Sequence, residues 1–136
     1  MSGEGILDTS AFIMYERLVE QGRIPNRPLI TTITLAELSV GPLVTSDDSE
    51  AAIRQAHLQH AESDFEPLPF DRAAARVLGE VAADLRASGS KVRARAYDAL
   101  IAAIAISRQL PLYTLNPRDF RSIKRLNLVR IQAQHL

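Results

Sequence analysis

The chain of 136 residues contains no cysteine and no tryptophan. Without thiols there can be no disulfide framework, no zinc–thiolate site and no thiol nucleophile, and such a chain suits the reducing cytoplasm. Aromatic residues are only 5%, and Tyr97 and Tyr113 read as core or rim residues rather than as a stacking platform for bases. An excess of either charge is also missing, because 16 Lys+Arg stand against 16 Asp+Glu. That excludes a protein coated in positive charge, so any nucleic-acid contact has to come from a local basic patch. Long apolar runs are absent as well. The longest without a charge, Ala99 to Ile106, is far too short to cross a bilayer. The opening "MSGEGILDTS" lacks a basic start followed by an apolar stretch, so no secretory signal is expected.

What is present, 46% apolar and 24% charged residues, predicts one globular domain over residues 1–136 with a real core. Ile6-Leu7 is a short apolar piece running into Asp8. Ala11, Met14, Tyr15 and Leu18 recur at the spacing of one amphipathic helix, stopped near Gly22. "PLITTIT" (28–34) reads as a strand and "LAELSV" (35–40) as a short helix. Asp47, Asp48 and Glu50 suit the start of a helix over 48–62. "PLPF" (67–70) is extended. Asp71 then caps a helix with the stripe Ala74, Val77, Leu78, Val81 and Leu85, ended by Ser88-Gly89. Ala99–Ile106 is apolar all round and must be covered on several sides. "PLYTL" (111–115) and "LNLVRI" (126–131) read as strands. Strands alternating with helices predict an α/β domain with a mainly parallel central sheet flanked by helices.

Four acids take related places on that scaffold. Asp8 ends the first strand, Glu37 sits in the first turn of a helix after the second, Asp98 heads the buried helix, and Asp119 follows "PLYTL", with Asn116 at the strand end. Beyond the carboxyl ends of parallel strands lies the ligand crevice of such sheets. Each acid singly admits a plainer role. Asp8, Asp98 and Asp119 are possible N-caps, and Thr34–Glu37 spells a capping box. Jointly they do not fit that role as well, since two carboxylates at about 4 Å repel by roughly 4 kcal/mol at an effective dielectric near 20. The histidines His57, His60 and His135 lie outside these motifs. Oxygen donors alone suit Mg²⁺ or Mn²⁺, and these ions point to phosphoryl-transfer chemistry. Lys91, Arg93 and Arg95 precede Asp98, and Arg118, Arg121, Lys124 and Arg125 surround Asp119. They are candidate phosphate contacts, or equally a solvated loop and turn.

The ordered set "ILDTS", "TLAEL", "DALIAAIA" and "YTLNPRDF" resembles the PIN-domain ribonucleases, in particular the VapC toxins of bacterial toxin–antitoxin pairs. The resemblance covers nearly the whole chain and implies a PIN-like fold. It also implies an Mg²⁺- or Mn²⁺-dependent endoribonuclease acting on RNA, a small antitoxin that covers the site, and a homodimer. By the same resemblance Asp8, Glu37 and Asp98 are metal-site acids, with Asp119 the fourth acid and Asn116 a polar helper. Thr9 and Ser10 match the hydroxyls after the first acid, where they hold a water, orient Asp8 or cap the first helix. Two other readings compete. One is a PIN-like RNA- or protein-binding module without catalysis. The other is a different Mg²⁺-dependent phosphotransfer enzyme; a phosphatase of that kind would want an acid where Ser10 stands.

Overall fold

The computed structural model describes residues 3–132; His135 falls outside them. Four short strands, β1 (Glu4–Leu7), β2 (Arg27–Leu29), β3 (Leu112–Thr114) and β4 (Leu128–Arg130), form one sheet in the order β2-β1-β3-β4. Every pairing is parallel, with Ile6 opposite both Leu29 and Leu112, and Thr114 opposite Arg130. Parallel neighbours need crossovers, and helices supply them. These are α1 (Thr9–Ile13), α2 (Tyr15–Glu20), α3 (Thr32–Val40), α4 (Asp48–Asp64), α5 (Arg72–Ala87) and α6 (Ala96–Arg108). The expected α/β architecture is therefore present, and its sheet is wholly parallel. Among the described residues, no helix is long and apolar enough to cross a membrane.

The period-2 alternation of strand side chains divides the core between the two faces. Ile6 and Leu112 pack with Val81, Leu85, Ile101 and Ile104 of α5 and α6. Leu7 and Tyr113, one residue on, pack with Ala11, Leu18 and Ile131 on the other face. Helix α6 is buried from Ile101 to Ile106, as its charge-free sequence requires. Alanines at 99, 102, 103 and 105 let it lie close against its neighbours.

Two elements differ from the sequence expectation. The segment "PLITTIT" is strand only to Leu29, and helix begins at Thr32. Its β-branched residues favour extended structure, but the Thr31 hydroxyl accepts the Thr34 N–H at 3.2 Å and caps a helix there. Thr34 and Leu38, four apart, then become the buried face. The single helix expected through Ala11–Leu18 is broken at Met14, with φ −97° and ψ 19°. The break lets Phe12, outside the expected stripe, pack with Ile30, Leu38 and Ala61 while Ala11 and Leu18 pack beneath the sheet. Asp47 and Asp71 cap α4 and α5 through their side chains.

Candidate active site

The strand order changes direction between β1 and β3, and a crevice opens beyond the carboxyl ends at such a switch point. Asp8 leaves β1 there and is almost fully buried, 4% exposed. It does cap α1, since its Oδ1 accepts the Ala11 N–H at 2.9 Å. The cap uses only part of the carboxylate. Ser10 Oγ donates to the same oxygen at 2.7 Å, and Thr114 Oγ1, at the end of β3, donates to Oδ2. Ser10 Oγ in turn accepts the Leu115 N–H at 3.4 Å, which ties the two strand ends together.

Glu37 departs from its expected place. Because α3 starts at Thr32, Glu37 lies in its second turn and Thr34 is not an N-cap, so no capping box forms. Thr9 Oγ1 donates to Glu37 Oε1 at 2.7 Å. Thr9 has one hydroxyl proton, so the 2.9 Å contact between Thr9 and Thr34 must have Thr34 donating. Thr9 and Ser10 thus aim carboxylates, each at a different one, and neither is the helix cap.

Asp98 stands in the first turn of α6, whose N-cap is Arg95 without a side-chain cap bond. The capping role considered for Asp98 is not used. The same holds for Asp119, which ends the short turn Pro117–Asp119 and is held by Arg95 Nη1 at 2.9 Å. Asn116 is the N-cap position of that turn, with no side-chain cap bond, and its N–H goes to Thr114 Oγ1 at 2.9 Å. Lys91 and Arg93 are exposed on the loop before α6, whereas Arg95 is half-buried on Asp119.

Charge couples the four acids. Asp98 is pushed up to about 7, first by burial and then by Asp119, Asp8 and Glu37, with Arg95 opposing. Burial also raises Asp8, helped by Asp119 and opposed by hydrogen bonds from Thr114, Ala11 and Ser10. Glu37 is raised by burial and by Asp8, against the Thr9 bond. Such a cluster favours protons or a cation. The donor type fits a hard divalent ion, being oxygen throughout. Among the described residues, however, no three acid or histidine side chains already close on a metal-sized point. One of the four, Asp119, is drawn to Arg95.

Sequence reasoning gave Thr34 only a capping role and missed Thr114 and two residues on the other flank. Arg54 and His57 of α4 line a cavity of about 370 Å³ together with Thr9 and Glu37. His57 is therefore nearer the acids than its position in the sequence suggested. Arg54 is fixed by Glu50 at 3.1 Å and by the Gly41 carbonyl at 2.9 Å. Thr114 was detectable in principle, as a hydroxyl at the end of the strand that precedes Asn116. Replacing it tests the support of Asp8. Thr114→Val should cost about 2 kcal/mol in urea unfolding at neutral pH, because a buried charged acceptor loses its donor. That bond holds the Asp8 carboxyl down, so the loss should shrink in acid, where Asp8 is protonated in both proteins.

A family model described as the PIN domain matches residues 6–126. Ribonuclease VapC5 of Mycobacterium tuberculosis is 43% identical over 121 residues, 88% of this chain and 87% of that protein. The crystal structure of VapBC-5, a member of the VapBC family of toxin–antitoxin systems from the same organism, superposes with a TM-score of 0.78. It does so at 37% identity, over 96% of this chain and 98% of the other. DNA-bound VapBC from Salmonella typhimurium superposes with a TM-score of 0.70 at 28% identity, over 96% and 98% of the two chains.

Proposed function

Because the chain belongs to the PIN-domain family, in its VapC branch, we propose that it is a metal-dependent endoribonuclease, the toxin of a toxin–antitoxin pair. The observation that carries the proposal is the coupling of Asp98 to all three other acids, which pushes it up to about 7. An acid so placed is primed for a cation, and the oxygen-only donor set favours Mg²⁺ or Mn²⁺. The partners implied are an RNA substrate, a small antitoxin protein and a second copy of the chain, met in the cytoplasm. The catalytic unit is one PIN-like domain over 1–136.

Asp8 and Asp98 would be the principal ligands, with Glu37 and Asp119 completing the set directly or through water. A divalent ion held there would supply charge for the phosphate and make an attacking water more acidic. The protein's own part is positioning. Ser10 and Thr114 fix both oxygens of Asp8. Thr34 and Thr9 form a relay that turns Glu37. Arg95 pairs with Asp119, and a divalent ion held by the acids would compete for that carboxylate. Asn116 offers its side chain beside Asp119. Lys91 and Arg93, exposed before α6, would meet the RNA backbone, with Arg95 beside them paired to Asp119. Lys91→Glu with Arg93→Glu should weaken RNA binding and lower the slope of log affinity against log salt by about 0.7 for each lost contact. An unchanged slope would assign that loop to solvent alone.

The direct test is RNA cleavage by antitoxin-free protein in Mg²⁺ or Mn²⁺ and in EDTA. Cleavage is expected only with the metal. Binding without cleavage under every metal condition would favour the non-catalytic module.

The raised acid also has a signature without metal. Its folded value, about 7, lies above the ordinary 3.8, so the folded state holds this proton more tightly. The resulting stability is fully present below about pH 4 and is lost as the pH rises through 7. In EDTA the parent should unfold more easily at pH 8 than at pH 5. Asp98→Asn should flatten that dependence by about 1–2 kcal/mol, after allowance for solvent screening. Urea unfolding at the two pH values checks it, and the same pH dependence in parent and variant is the contrary result.

A further inference from the structure

Charged groups remain around the site that the acids do not engage. Beyond Asp119 lies a cavity of about 690 Å³, with Arg118, Arg121 and Arg130 in its lining beside Asn116. The size is in the range of ligand pockets. All three arginines are exposed, and no ion pair among the described residues takes any of them. The other arginines nearby are committed: Arg95 to Asp119 at 2.9 Å and Arg125 to Glu80 at 2.7 Å. The chain has as many acids as bases, so three uncommitted guanidinium groups on one cavity are a local surplus of positive charge. The single carboxylate on its wall is Asp119, which already has Arg95.

The sheet accounts for the convergence. Arg130 stands opposite Thr114 in the β3–β4 register, and the Thr114 hydroxyl holds Asp8. Only β3 therefore lies between the strand of Arg130 and the strand end that carries the first acid, although Arg130 is sixteen positions on from Thr114 in the chain. Arg118 and Arg121 reach the same cavity from the turn that carries Asp119.

We propose that this cavity binds backbone phosphates of the RNA strand next to the bond that is cut, with Arg118, Arg121 and Arg130 as the phosphate ligands. The proposal rests on the ribonuclease reading and adds to it a subsite on the Asp119 side. Guanidinium groups suit phosphate oxygens because their planar N–H forks bond bidentately. An acidic peptide would meet the same charge. Peptide docking, however, draws most of its energy from apolar anchors in pockets, and the apolar residues of this lining are Leu115 and Pro117 alone. A phosphodiester strand needs only the charge and the forks.

The test is binding of a fluorescent single-stranded RNA in EDTA, so that the strand stays whole, across a series of salt concentrations. Cleavage in Mg²⁺ is run in parallel. Arg118→Gln, Arg121→Gln and Arg130→Gln together should weaken binding about tenfold or more, and lower the salt slope by about 2, since each single-strand phosphate contact contributes about 0.7. Arg130→Gln alone should lose about 0.7 of slope, and Arg130→Lys should restore it. Arg108→Gln removes the same charge ten residues down α6 from Asp98, about 15 Å away along the axis, and should leave the slope at the parental value. Parental affinity and slope in the triple variant, with the parent cutting RNA, overturn the subsite and leave the ribonuclease reading standing. If the parent neither binds nor cuts RNA, both fall. If the triple variant binds RNA normally but loses affinity for a polyglutamate peptide, the cavity is a protein-docking site and the proposal is wrong.

Discussion

Asp98→Asn is expected to lower RNA cleavage about a thousandfold or more, which is roughly 4 kcal/mol of transition-state stabilisation, while leaving the metal-free protein at least as stable as its parent. The two halves of this result come from one fact. Asp98 is raised to about 7 by burial and by three neighbouring carboxylates, so its charge is unfavourable without a cation beside it. Asparagine keeps the shape and removes the charge, which relieves the repulsion. It also removes an anionic oxygen from the metal set. A purely structural role predicts another pattern. Asp98 makes no cap bond at the start of α6, so a structural Asp98 would leave cleavage intact on replacement. Asp8→Asn is the companion experiment, because Asp8 does cap α1. Asparagine caps as well as aspartate, so the helix should survive in Asp8→Asn while cleavage falls by a similar factor. Circular dichroism and urea unfolding, run beside the RNA assay, separate loss of fold from loss of chemistry.

Mg²⁺ or Mn²⁺ at a hundredfold excess over Kd should stabilise the antitoxin-free protein by about 2.7 kcal/mol, a rise in Tm of about 10 °C for a domain of this size. The gain should be larger at pH 8 than at pH 6. Asp98 near 7 has to lose its proton before it can serve a cation, and protons compete with metal below that value. The same addition should leave Asp98→Asn nearly unchanged. A thermal melt in EDTA and in metal, at the two pH values, reads all three expectations. A rise common to parent and variant would place the ion elsewhere on the molecule.

The parts of the fold that were legible in the sequence are those where local chemistry and packing agree. Asp71, with the stripe Ala74, Val81 and Leu85, is read correctly because the cap and the buried face belong to one helix. The charge-free run of α6 demands cover on all sides and has it. "PLITTIT" failed where the two conflict. Its β-branched residues favour a strand, but Thr31 caps a helix and Thr34 with Leu38 gives it a buried face. The error displaced Glu37 by a turn and suggested a capping box that does not form. That Asp8 and Asp119 follow strands was legible, whereas Asp98 stands in the first turn of α6, an approach to the crevice that the sequence permitted without requiring. The supports of the acids were not legible. Thr114 lies 106 residues from Asp8 and Thr9 lies 28 from Glu37, and contacts of that span have no local pattern. Arg130 was invisible for the same reason, since only the β3–β4 register brings it opposite Thr114.

The measurement that bears most directly on the central claim is calorimetric titration of Mn²⁺ into antitoxin-free parent and Asp98→Asn at pH 7, in two buffers of different ionisation heat. The account predicts that the parent binds Mn²⁺ and gives up protons as it does so, because Asp98 is partly protonated at that pH. It predicts that Asp98→Asn binds at least about a hundredfold more weakly and releases none from this group. Equal binding and equal proton release in the two proteins would contradict it, as would a parent that takes up no Mn²⁺ at all.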